Sequence, residues 1–137
     1  MHSQTLFAQL MDFLPWTTFT RLVDRYGGDR YVKTFSCAEQ FRAMAFAQLT
    51  YRESLRDIEV CLAAQSAKLY RMGFRSAVKR STLADANESR DWRIWAEFAS
   101  RLIAQARKLY AADSLELIPI HHLTSNLISI STQPWIG

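Results

Sequence analysis

The residues best suited to chemistry in this chain are cations. Between Val60 and Ala84 stand Lys68, Arg71, Arg75, Lys79 and Arg80, with no acidic residue among them. The stretch that follows, "RSTLADANESRDW", reads as a helix start carrying Ser and Thr hydroxyls. Cations beside a helix N-terminus suit phosphate, because the unpaired amides and the helix dipole both favour an anion there. The competing reading is an ordinary solvated connection, and on these residues alone it leads.

Other chemistry finds little support. The single Gly-Gly, at positions 27 and 28, reads as a helix stop and not as a phosphate loop. His121 and His122 are adjacent, so in a strand they point to opposite faces, and no Cys or carboxylate stands near them. Asp57 with Glu59, and Asp85 with Glu88 and Asp91, each have Arg neighbours at helical spacing, which makes solvated ion pairs of them rather than a hydrolytic acid pair. Cys37 and Cys61 sit in alanine-rich helical patterns without a C-x-x-C pair and read as small buried thiols, not a disulfide. No cofactor, metal site or catalytic residue is expected.

The elements that must position the cations follow from periodicity. With 137 residues, 49% hydrophobic and 22% charged, the chain is about one domain long and able to bury a core. Its net charge of +4 is compatible with a polyanionic partner. No apolar run is long enough to span a bilayer and no signal-peptide pattern opens the chain, so a cytoplasmic location is expected. Leu6, Leu10, Phe13 and Leu14 define a first helix that Pro15 stops. Phe19, Leu22, Val23 and Tyr26 define a second, ended by Gly27-Gly28, with "DRYVKTF" as connection. Ser36 with Glu39 forms a capping box, and Ser54 with Asp57 and Thr82 with Asp85 repeat the signal. A long helix carries Trp92, Trp95, Phe98, Ala99, Leu102, Ile103, Ala106, Leu109 and Tyr110 on one face. The predicted architecture is all-α, a compact bundle of five or six helices over residues 1–116, followed by an irregular or short extended tail over 117–137.

The segments "LFAQLMDFLPWTTFTRLVDRYGGDRYVKTFSCAEQFRAMAFAQLTYRESLRDIEVCLAA", "LYRMGF" and "RSTLADANESRDWRIWAEFASRLIAQARKLY" together resemble the N-terminal helical region of bacterial insertion-sequence transposases of the DDE class, in the family-four group. The resemblance covers residues 4 to about 116, and "SLRDIE" and "STLADAN-x-x-R-D-W" carry most of its specificity. It implies a domain that binds the element's terminal double-stranded DNA and helps assemble the transposase. "SLRDIEVCL", the basic connection and "STLADANESR" then form an atypical helix-turn-helix unit. Its flanking Lys68, Arg71, Arg75, Lys79 and Arg80 hold phosphates, while Ser81, Thr82, Asp85, Asn87 and Arg90 are the candidate base readers, with Asn87 the natural adenine partner.

The tail departs from that family. Its members continue into a ribonuclease-H-like domain whose first strand bears a metal-binding acid, whereas "IHHLTSNLISIS" contains none. The expectation is a frameshifted or truncated copy, catalytically inactive by itself, because the Mg²⁺ of phosphoryl transfer needs carboxylates. The alternative readings are a protein-interaction module acting on a second copy or on full-length transposase, and a non-functional remnant.

Overall fold

The computed structural model describes residues 4–111, and among them every regular element is helical. Seven α-helices follow in order: α1 (Leu6–Asp12), α2 (Trp16–Arg25), α3 (Cys37–Leu49), α4 (Leu55–Ala64), α5 (Leu69–Met72), α6 (Arg80–Ser89) and α7 (Trp92–Tyr110). A single 3-10 turn, Ser66–Lys68, precedes α5. This turn and the four-residue α5 fall in the basic connection, where the sequence offers too few residues for a periodic signal; they account for the excess over five or six helices. His121, His122 and the tail expected over 117–137 lie outside the described residues.

The chain divides into two units. The first holds α1 and everything from Asp29 to Arg90, that is α3 to α6. Its core gathers Phe35, Ala43, Phe46 and Ala47 with Ile58 and Leu62 of α4, Leu69, Met72 and Phe74 around α5, and Val78, Leu83 and Ala86 at α6. Within it α4, α6 and α3 pack on one another, and α1 packs on α5. The start of α3 has both halves of the capping box: the Ser36 hydroxyl accepts from the Glu39 amide at 3.2 Å, and the Glu39 carboxylate accepts from the Ser36 amide at 3.0 Å. Ser54 caps α4 in the same way by accepting from the Asp57 amide at 3.1 Å.

Two expectations for the first unit are corrected. Thr82 and Asp85 do not cap α6, which starts at Arg80 with Lys79 as N-cap and no side-chain cap. Leu83 must reach the core, and its amide bonds the Lys79 carbonyl, so the helix begins ahead of both residues. Nor does α1 bury the stripe of Leu6, Leu10 and Phe13, which are 72%, 42% and 82% exposed. It buries Ala8 and Met11 instead and sets the Phe7 ring edge-on against Phe46 at 5.7 Å. Small Ala8 permits the close approach, so the bulkier leucines are left facing out.

The second unit holds, among the described residues, Pro15–Gly28 and the chain from Asp91 through α7. Phe19, Leu22 and Val23 of α2 and Ile94 and Phe98 of α7 are buried, with the Phe19 and Phe98 rings edge-to-face at 4.9 Å. Gly27 ends α2 at φ 62°, and the amides of Gly27 and Gly28 bond the carbonyls of Asp24 and Val23, a Schellman stop. Ile94, fully buried, was absent from the expected stripe, while Trp92 and Leu109 at its ends are exposed. A ten-residue α2 spans about half the length of a nineteen-residue α7, and the residues α7 buries, Ile94 and Phe98, lie in its N-terminal half. Tyr26 donates to Glu97, which also takes Arg25 at 3.1 Å. Asp91 caps α7, pairs with Arg93 at 2.6 Å, and Arg93 stacks on the Tyr26 ring at 4.6 Å.

Candidate nucleic-acid interface

Two consecutive polar residues of α3 hold the basic connection and the far end of α6 in place. Glu39 and Gln40 are only 3% and 2% exposed. A buried carboxylate or amide is tolerable only with partners on each polar atom, and both have them. Beyond the Ser36 cap, Glu39 accepts from the Arg75 amide at 2.8 Å and from the Arg75 guanidinium at 3.2 Å. Burial pushes the Glu39 carboxyl up, but the Arg75 and Ser36 amides and the Arg75 guanidinium more than offset this and leave it below the usual carboxylate range. The acid at the third position of a capping box thus also clamps the chain entering α6.

Gln40 clamps the other end of α6. Its Nε2 donates to Asn87 Oδ1 at 2.7 Å, and its Oε1 accepts from the Arg90 guanidinium at 2.7 Å. Arg90 also donates to the Phe35 carbonyl and lies over the Phe35 ring, 5.6 Å from its centroid. Beside this network the Cys37 amide donates to Asp29 at 2.6 Å, and burial pushes the Cys37 thiol up to about 12. Cys37 and Cys61 are both free thiols, the first buried and the second half-buried.

The ten candidate residues therefore separate by role. Arg75, Asn87 and Arg90 are tied into the protein by the bonds just given, so a phosphate or base at any of them would compete with an internal partner. Their partners are the two buried polar side chains of α3, Glu39 for Arg75 and Gln40 for Asn87 and Arg90. Thr82 is half-buried. Lys68, Arg71, Lys79, Arg80, Ser81 and Asp85 are exposed, and none of the four cations joins an ion pair among the described residues. On α6 the outward face runs Ser81, Asp85 and Glu88, two of the three acidic. Phosphate is thus suited to the N-terminal end of α6, with Lys79, Arg80 and uncapped amides, and not to the helix's length. The role of Gln40 carried no signal in sequence; Glu39 was legible only as a cap.

One further feature keeps the connection in shape. Gly73 ends α5 at φ 97°, and a Cβ there would lie 2.5 Å from the Arg42 Nε. The half-buried Arg42 side chain runs across that glycine, and burial pulls its guanidinium below its ordinary value while Glu39 and Asp12 partly restore it.

No group of three or more metal-ligating side chains occurs among the described residues, and no helix among them is long and apolar enough to cross a membrane. No curated protein and no solved structure matches the chain. One family model does, over residues 2–75, from α1 through α5 to the Glu39–Arg75 clamp and ending ahead of Lys79 and α6. With more than half of its length matched, the chain belongs to the family described as Domain of unknown function (DUF4372).

Proposed function

We propose that this chain is the DNA-binding and assembly part of an insertion-sequence transposase, recognising the ends of its element and leaving the phosphoryl-transfer chemistry to a catalytic domain. The observation that carries the reading is the set of exposed, unpaired cations Lys68, Arg71, Lys79 and Arg80 on and beside a connection that the buried Glu39 anchors at Arg75. Cations free of carboxylates gain most from a polyanion, because they lose no intramolecular partner on binding. The resemblance of the "SLRDIE" and "STLADAN" blocks to family-four transposases supplies the biological setting. Phosphates lie at Lys68, Arg71, Lys79 and Arg80, and the base-reading candidates that remain outward are Ser81 and Asp85, the latter an acceptor suited to a cytosine amino group.

Fluorescence anisotropy with a labelled duplex from the parent element's end, over a range of salt, tests it. The affinity should fall steeply with salt, and replacing Lys79 and Arg80 together by Ala should make the log–log slope shallower by about two. An unchanged slope, or no binding even at low salt, refutes the proposal. The second reading, a protein-interaction module, is favoured by one specific observation: α1 presents Leu6, Leu10 and Phe13 outward. A dimer insensitive to salt, without DNA affinity, decides for it.

A further inference from the structure

Three tyrosines of the first unit stand almost fully in solvent: Tyr31, Tyr51 and Tyr70 are 88%, 90% and 85% exposed. Each is the chain neighbour of an exposed arginine, Arg30, Arg52 and Arg71 respectively. None of these arginines forms an ion pair among the described residues. Arg30 lies over the Tyr31 ring, 5.4 Å from its centroid.

Two of the three tyrosines are also held where tyrosine is a poor choice. Tyr31 and Tyr51 have φ of 64° and 57°, the left-handed region that favours glycine and asparagine. Tyr51 follows the C-cap of α3, and the Arg52 amide closes the Schellman bond onto the Ala47 carbonyl at 2.8 Å. Tyr31 is the third residue of a turn closed by the Val32 amide on the Asp29 carbonyl at 3.1 Å. Glycine fits both places without strain, and an exposed ring adds nothing to the core. The folded domain is therefore less stable for carrying these rings, which points to a use outside folding.

We infer that the Arg30–Tyr31, Tyr51–Arg52 and Tyr70–Arg71 pairs are contacts for unpaired nucleotides: each ring stacks on a base and its arginine holds the adjoining phosphate. The inference rests on the DNA-binding reading and adds to its duplex contacts a subsite for single-stranded or splayed bases. An open ring beside a cation is the unit by which single strands are held without sequence readout. A duplex keeps its bases stacked on one another and offers these rings no face. Cations next to all three rings, on a chain of net charge +4, favour a polyanion over a protein partner.

The test uses the full chain and two fluorescein-labelled probes, a mixed-sequence single-stranded oligodeoxynucleotide and its blunt duplex, in anisotropy titrations. The single strand should bind, and replacing all three tyrosines by Ala should weaken it by at least about tenfold while leaving the duplex affinity within twofold. Replacing all three by Phe, which keeps the rings, should preserve it. The pair Tyr31→Gly and Tyr51→Gly should raise the urea midpoint and still weaken the single strand, separating display from folding. If the alanine variant binds the single strand as the parent does, or only the duplex is bound, the inference falls and the DNA-binding reading stands. If neither probe binds, both fall; a self-association lost in the alanine variant would then assign the rings to a protein interface.

Discussion

Replacing Glu39 by Gln tests the clamp at its centre with almost no change of shape. In the parent, one carboxylate oxygen accepts from the Arg75 amide at 2.8 Å and the other from the Ser36 amide at 3.0 Å, with the Arg75 guanidinium at 3.2 Å. Glutamine supplies one acceptor oxygen and one donor nitrogen. Whichever way its amide turns, one backbone donor loses its partner and meets another donor, and the guanidinium loses its countercharge. A buried unsatisfied donor costs about 1–3 kcal/mol, and a hydrogen bond to a charged group contributes about 1.5–3 kcal/mol. The Arg75 side chain is 61% exposed, so its share is discounted for solvent screening. The sum is about 2–4 kcal/mol, a large part of the stability of an ordinary domain. Urea unfolding at pH 7, followed by far-ultraviolet circular dichroism, measures it as a lower midpoint at unchanged slope. A loss below about 0.5 kcal/mol would refute the reasoning, for the carboxylate would then not be holding two amides.

The remaining predictions follow the same network outward. Gly73→Ala should destabilise by about 1–3 kcal/mol, since a Cβ meets Arg42 and φ of 97° strains any side chain; calorimetry reads it as a lower melting temperature. Lys79→Ala with Arg80→Ala should leave stability within about 0.5 kcal/mol, because neither residue has an ion-pair partner to lose. Ile94→Ala, at a fully buried site of α7, should cost about 2–5 kcal/mol in urea unfolding. In native protein at pH 8 a thiol-specific chromogenic reagent should modify the half-buried Cys61 well before Cys37, whose thiol burial pushes up to about 12. Equal rates would contradict that burial.

Helices with strong punctuation were legible from sequence. Pro15, the Gly27-Gly28 stop, the Ser36–Glu39 box and the Ser54 cap act through bonds within a few residues, so local pattern determines them. The face of a helix was less legible. In α1 every candidate position is apolar, and the choice between Leu6, Leu10 and Phe13 or Ala8 and Met11 depends on the surface of α5, a distant segment. In α7 the stripe was wide enough to include Phe98 without singling it out, and it left out Ile94 altogether. The candidate site shows the same limit. Arg75 and Arg90 look in sequence like Lys79 and Arg80, cations at or beside the two ends of one helix. What separates them is whether a buried polar residue from α3 waits opposite, and the separations of 36 and 50 residues put that beyond local reasoning.

Acid provides the sharpest check on the clamp, because it removes the charge of Glu39 without touching the sequence. The Glu39 carboxyl is held below its ordinary value of 4.5 in the folded chain, burial opposing and the amides and Arg75 prevailing. A carboxyl with a depressed folded pKa contributes stability that is fully present above its unfolded value and is lost as pH falls through the folded one. At pH 7 the contribution is complete; below about pH 4.5 the unfolded chain takes up a proton the folded chain resists, and stability declines. Asp91, paired with Arg93, is also held low and adds its own acid sensitivity. Comparing parent and Glu39→Gln at each pH removes that background, since Asp91 is present in both. The difference in unfolding free energy should be constant from pH 7 to about 5.5 and should shrink steadily toward pH 3, as the parent's carboxyl becomes a neutral group like the amide that replaces it. A difference that stays constant down to pH 3 would mean that folding leaves the Glu39 carboxyl at its ordinary value, and one that widens would mean that folding raises it; either outcome would refute the depressed carboxyl argued for the clamp.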